Sequence, residues 1–134
     1  MSGLNVSVEH CAAGVIDGIL WHQGESDSND EELAKTYEVR LSQMLKDLRM
    51  DLGLPNVPVV VGQLGEFVKG KYVDVVRAAI QNTPNNVPNV GYVDSAGLGH
   101  KGDSLHFNTA GEQGMGGRYA AVMKALKAKG TEGM

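Results

Sequence analysis

Between Lys101 and Asn108 the chain reads KGDSLHFN, and three of these side chains are of kinds that carry acid–base or nucleophilic chemistry. Asp103 and His106 stand three residues apart. On a tight loop that spacing lets a carboxylate hold one ring nitrogen of an imidazole while the other nitrogen takes a proton from an attacking hydroxyl. Ser104 offers a hydroxyl but lies between the two partners, so its side chain has to leave the loop in another direction for them to meet. A nucleophile also needs backbone N–H groups around a developing oxyanion, commonly from a strand-to-helix turn, whereas Ser104 leads into Leu-His-Phe. The bland alternative for Asp-x-x-His is a solvated turn with an incidental histidine.

A second polar segment, Trp21 to Asp27, reads WHQGESD. Gln23 can donate its amide N–H to an oxyanion, and Glu25 can orient a histidine or fix the loop. Equally, the acids here can simply favour the positive end of a following helix. Trp21 reads as a core or pocket-wall residue. His100, Asp103 and His106 would be candidate metal ligands only with a third nearby His or Cys, so neither a metal nor another cofactor is expected. GQLGE, from Gly62 to Glu66, is a lesser third candidate, and His10 and Cys11 read as structural.

Chemistry of this kind needs a scaffold that brings the segments together. Gly14 to Trp21 is a short apolar run with little alternation, as in a strand buried on both faces. Ser28 and Glu31 have capping-box spacing, and Leu33, Tyr37, Leu41, Met44, Leu45 and Leu48 then recur at helical intervals up to Gly53. Val57 to Leu64 reads as a second buried strand. Tyr72 to Gln81 reads as a helix with Val75, Val76, Ala79 and Ile80 inward, broken by NTPNNVPN. Val90 to Val93 is a third strand. Thr109 and Glu112 repeat the capping-box spacing before a helix with Tyr119, Val122, Met123 and Leu126 on one face, and the last eight residues read as frayed. Alternating strands and helices call for a parallel sheet with helices on its faces, and sites in such sheets form beyond the carboxyl ends of the strands. Both polar segments fall there.

The 134 residues, 42% hydrophobic and 21% charged, suit one domain over 1–134 with a real core. Net charge is −4 with no basic or aromatic cluster, which argues against a nucleic-acid surface. One cysteine excludes an internal disulfide framework. No apolar stretch approaches the ~20 residues of a membrane span, and the N-terminus lacks the pattern of a secretion signal, so a soluble chain of unknown compartment is expected.

Together the loops are more specific than either alone. GVIDGILWHQGESDSND, the helix and strand LSQMLKDLRMDLGLPNVPVVVGQL, and VDSAGLGHKGDSLHFNTAGEQGMGGRYA resemble the SGNH hydrolases of the sialate O-acetylesterase and acetylxylan esterase type, carbohydrate esterase family six. The resemblance runs from about Gly14 to Ala125 and rests on the WHQGESD and D-x-x-H-F motifs. It implies a flavodoxin-like three-layer α/β/α sandwich with a parallel sheet. It implies His106 as general base, Asp103 as its orienting acid, Gln23 as an oxyanion-hole donor and Glu25 as a site carboxylate sharing the acid role. Trp21 and His22 fall on the substrate side. The implied chemistry removes acetyl groups from carbohydrate hydroxyls through an acyl-enzyme.

One part of the family pattern has no counterpart. The nucleophile of such enzymes sits in a Gly-Gln-Ser-Asn-type block at the end of the first strand, followed by a block with an oxyanion glycine. Ser2 and Ser7 are not in that setting. The chain is therefore expected to be the C-terminal half of the domain, with the nucleophile-bearing strand missing. Alone it would be inactive, self-associating or pairing with the missing half. The four letters GDSL also name a large class of serine esterases, but here they read as a coincidence. The alternatives are a non-catalytic remnant or interaction module of the same fold and, further off, a self-contained esterase using Ser104 or Ser26.

Overall fold

The computed structural model describes residues 14–132. Three parallel strands, β1 (Ile19–Trp21), β2 (Val59–Gly62) and β3 (Val90–Val93), form a sheet in that order, with Ile19 opposite Val59 and Val59 opposite Val90. Helices α1 (Glu31–Leu52) and α2 (Val73–Asn86) cover one face, and α3 (Thr109–Glu132) covers the other. The architecture is the expected α/β/α sandwich with a parallel sheet, here open and three-stranded. His10 and Cys11 lie outside the described residues.

The residues of β2 and β3 divide between two cores. Val59 and Val61 point toward α1 and α2, joining Tyr37, Leu41, Leu45, Val76 and Ile80. Val60 and Val93 point the other way, toward Met115 and Tyr119 of α3, against which Phe107, Val122, Met123 and Leu126 also pack. All four residues of β2 are buried, as a strand with neighbours on both sides must be. β1 corrects the expectation of a strand buried on both faces over Gly14–Trp21. Only Ile19–Trp21 is strand, Leu20 is 57% exposed, and among the described residues β1 pairs with β2 alone.

The helix ends depart from the sequence reading for local reasons. Ser28 does not cap α1, because its hydroxyl donates to the Gly24 carbonyl at 2.9 Å inside a short 3-10 turn, Ser26–Asn29. Asp30 takes the role instead, in extended backbone with its carboxylate accepting the Leu33 N–H at 2.9 Å. Leu33 is consequently 42% exposed rather than inward. The expected stop at Gly53 holds, since Gly53 has φ 66° and closes the helix with a left-handed cap.

α2 does not break at NTPNN but continues to Asn86 with Pro84 in its last turn, where one missing N–H costs a single helical bond. Asn82 and Asn86 both donate to Glu38 of α1 and tie that turn down. Val75, expected inward, is 42% exposed. α3 is capped by Asn108, whose side chain accepts the Gly111 N–H at 2.8 Å, and not by Thr109. It also runs on to Glu132 across most of the stretch expected to fray.

Candidate active site

Because the strands are parallel, the segments following all three leave the sheet at one edge. The β3–α3 segment is anchored first. Ser95 donates its hydroxyl to the Leu64 carbonyl at 2.6 Å, and Arg118 of α3 donates to Asp94 O, Asp94 Oδ1 and Ala96 O. Beyond this the chain closes on itself from Gly99 to Asn108. Asn108 N–H donates to Gly99 O at 3.0 Å, and Lys101 N–H to His106 O at 3.1 Å.

Asp103 organises the tip of that closed loop. Its Oδ1 accepts the N–H groups of Leu105 and His106, both at 2.9 Å, and its Oδ2 lies 2.6 Å from His106 Nδ1. The backbone and ring N–H groups of His106, helped by the Leu105 N–H, hold the Asp103 carboxyl well below the usual carboxylate range. An ionised Asp103 keeps the ring proton on Nδ1 and leaves Nε2 as the basic nitrogen. The side chains are open, His106 59% exposed and Asp103 37%. The spacing expected to join the two does so.

The β1–α1 loop supplies a second group of polar side chains. Tyr119 of α3 donates its hydroxyl to Trp21 O at 2.8 Å and lies 3.3 Å from His22 Nδ1. The other ring nitrogen of His22 is 3.9 Å from Glu25 Oε2. Burial lowers the His22 pKa from its ordinary value, and Glu25 opposes the shift in part. Glu25 therefore faces His22, not the Asp103–His106 pair. Burial raises the Tyr119 hydroxyl well above its ordinary value.

Gln23 is turned into the protein. Its carbonyl oxygen and its backbone carbonyl both accept from Tyr37 OH, at 3.1 and 2.7 Å, and its amide nitrogen donates to Asp27 Oδ1 at 3.2 Å. Asp27 in turn pairs with Arg40 at 2.8 Å, and burial pushes the Tyr37 hydroxyl up to about 12. An amide nitrogen carries two hydrogens, so one N–H of Gln23 remains beyond the Asp27 bond. Beside it lies a cleft of about 270 Å³ whose lining includes Trp21, Gln23, Asp27, Tyr37 and Arg40. The Trp21 indole donates to Tyr37 OH at 3.4 Å, so Trp21 is a wall of that cleft.

Aromatic rings join the three segments. His22 lies 5.6 Å from Phe107, Phe107 meets Phe67 edge-on at 5.3 Å, and Phe67 lies 5.1 Å from His100. Phe67 comes from the β2–α2 segment, where Arg77 donates to the carbonyls of Leu64, Gly65 and Val68. The candidate segment Gly62–Glu66 ends one residue short of Phe67. Only the pairing of an aromatic with a Gly-flanked loop after a buried strand signals it. Ser104 has φ 56° and its N–H points at His100, while Ser26 lies exposed at the start of the 3-10 turn. Among the described residues, no three His, Cys, Asp or Glu side chains gather as metal ligands would.

A parallel α/β/α sandwich with a His–Asp pair on a loop beyond the carboxyl ends of its strands is the frame of the SGNH-type carbohydrate esterases. Residues 3–125 match the family described as carbohydrate esterase, sialic acid-specific acetylesterase, and the chain belongs to that family. A probable carbohydrate esterase of Arabidopsis thaliana is 38% identical over 103 residues, 77% of this chain and 38% of that protein. The X-ray structure of an Arabidopsis thaliana protein superposes with a TM-score of 0.81 at 32% identity, covering 91% of this chain and 50% of that one. A carbohydrate acetylesterase from Xanthomonas citri shares the fold, with a TM-score of 0.66 at 20% identity over 81% of this chain and 26% of its own. The chain thus spans half or less of the length of these relatives. Among the described residues no helix is long and apolar enough to cross a membrane.

Proposed function

We propose that this chain supplies the base side of a serine esterase that removes acetyl groups from carbohydrate hydroxyls, and that the nucleophilic serine comes from outside residues 1–134. The observation carrying this reading is the 2.6 Å contact between Asp103 Oδ2 and His106 Nδ1 at the carboxyl edge of the sheet, in a chain of this family. His106 Nε2 takes the proton of a serine hydroxyl as its oxygen attacks the acetyl carbon, and Asp103 stabilises the imidazolium that forms. The same proton passes to the departing sugar oxygen. Water then repeats the two steps on the acyl-enzyme, releasing acetate. The second amide N–H of Gln23 is the candidate donor to the oxyanion, with Trp21 and His22 on the substrate side and Glu25 acting through His22.

Two features support placing the nucleophile elsewhere. Ser104 is held in the loop between the residues it would have to serve, with its N–H directed at His100. Among the described residues β1 pairs with β2 alone, which leaves room for a further strand at its other edge.

The test is labelling by a fluorophosphonate serine probe, together with hydrolysis of p-nitrophenyl acetate and acetylated sugars. The chain alone should show neither. Adding an N-terminal half with the Gly-Gln-Ser-Asn block should restore both, and His106→Ala should abolish hydrolysis again. Ordinary turnover by the lone chain, lost on Ser104→Ala, would overturn the proposal. Failure of the complemented pair would leave a non-catalytic member of the fold.

A further inference from the structure

The loop that carries Asp103 and His106 is held by two side chains, only one of which belongs to the pair. Asp103 takes the N–H groups on the far side of the tip. On the near side, His100 Nδ1 accepts the N–H groups of Gly102 at 3.0 Å and of Ser104 at 3.1 Å. Two donors converge on one ring nitrogen because the backbone bends left-handed twice in three residues, Gly102 with φ 114° and Ser104 with φ 56°. Glycine adopts such an angle readily, but serine does so only when its surroundings hold it there. His100 is also bridged to Phe107 across the closed loop, and its ring lies 5.1 Å from Phe67.

We infer that His100 is a positioning residue for the base, its neutral Nδ1 serving as the acceptor that sets the loop so that Asp103 meets His106. The geometry requires one tautomer. A nitrogen that accepts two N–H groups carries no proton, so the hydrogen of His100 sits on Nε2. His106 requires the opposite, with its hydrogen on Nδ1 facing Asp103 Oδ2. The loop thus holds two histidines of opposite tautomer six residues apart. If His100 lost its acceptor, the Gly102 and Ser104 N–H groups would turn toward water, the left-handed bend at Ser104 would relax, and the carboxylate between them would move off the His106 ring. The inference rests on reading Asp103–His106 as the base pair, but its test does not depend on turnover.

The experiment is imidazole 15N spectroscopy on the chain itself, at a pH where the rings are neutral, in wild type, His100→Leu and His100→Asn. Asn places a carbonyl oxygen near the position of Nδ1, so it keeps an acceptor while removing the ring. In wild type, His100 should show the Nε2–H tautomer and His106 the Nδ1–H tautomer. In His100→Leu the two ring nitrogens of His106, well separated in wild type, should shift toward each other as its tautomers mix. In His100→Asn the His106 signals should stay close to wild type.

A wild-type His100 protonated on Nδ1 would overturn the inference, as would a Leu variant with His106 unchanged. An Asn variant as disturbed as the Leu variant would also overturn it, because the role would then belong to ring packing on Phe67. If the tautomers behave as expected while complementation restores no esterase activity, the functional reading fails and the positioning role stands.

Discussion

Gly62 ends β2 directly beneath the His22 loop, and replacing it with alanine tests how tightly the site is seated on α3. A Cβ there would lie 1.9 Å from Tyr119 Oη, 2.6 Å from its Cζ and 3.1 Å from His22 Nδ1. Its backbone φ is not in the left-handed region, so the cost is steric. To regain ordinary contact the tyrosine hydroxyl has to retreat by about 1.5 Å, which takes it out of hydrogen-bond range of Trp21 O, now 2.8 Å away. Overpacking of this kind costs roughly 1–3 kcal/mol, and the lost hydrogen bond adds about 1 kcal/mol. Reduced freedom of the unfolded chain returns about 0.4–1 kcal/mol.

The net expectation for Gly62→Ala is a loss of about 2–3 kcal/mol, or a fall in melting midpoint of about 10 °C for a domain of this size. Urea denaturation at fixed protein concentration measures it. Gly18→Ala is the control, because its Cβ crowds the flexible end of Met123 and meets Pro58 O only at an ordinary 3.7 Å, and it should stay within about 0.5 kcal/mol of wild type. Combining Gly62→Ala with Tyr119→Phe should cost less than the two single changes added, since both remove the same hydrogen bond. Exact additivity, or a Gly62→Ala variant as stable as the Gly18 control, would refute the close contact between β2 and Tyr119.

Arg49 is 5% exposed and donates to Val57 O through two nitrogens, to Pro88 O at 2.7 Å and to Asn89 O at 3.0 Å, clamping the starts of β2 and β3. Arg49→Met keeps most of the volume but orphans the Val57 carbonyl, and should lose about 2–4 kcal/mol in the same denaturation assay. Arg49→Lys should recover only part, because one ammonium cannot span three carbonyls. His22 has a folded pKa below its unfolded value, so above about pH 6.5 it is neutral in both states and has no effect on stability. As pH falls further the unfolded chain takes the proton first, and stability declines until the folded pKa is reached. His22→Gln should flatten that part of the pH–stability curve. The edge of β1 that has no partner strand among the described residues, together with Leu20 at 57% and the preceding Val15 at 85% exposure, should make the lone chain self-associate in sedimentation velocity, and a strictly monomeric sample with a sharp melt would count against this.

What could be read from the residues follows from how local each signal is. Val59–Gly62 is legible because a strand flanked on both sides has to be apolar throughout, and the heptad-like run from Tyr37 to Leu48 because one helix face meets one core. The helix starts are not legible, because Ser28 and Thr109 have the right spacing but nearby Asp30 and Asn108 supply the capping side chains. Spacing identifies a class of cap, while the fold selects its member. The extent of β1 is not legible either, because an apolar run cannot tell how many neighbours a strand has.

The site divides in the same way. Asp103 and His106 are legible because both partners lie within one turn of chain. Gln23 and His22 are legible only as part of the loop, because Tyr37 and Tyr119, which hold them, come from helices fourteen and ninety-seven residues away. That separation has a mechanical consequence. The His106 loop is set by its own residues, through His100 and Asp103, and can hold its shape whatever lies beyond β1. The Gln23 loop instead hangs from α1 and α3 through Tyr37 and Tyr119, after a strand that among the described residues pairs on one side alone. A strand added on the other side of β1 would therefore act on Gln23 and leave the Asp103–His106 contact as it stands, so complementation should change the environment of Trp21 and, at His106, reach Nε2 while Nδ1 stays on Asp103.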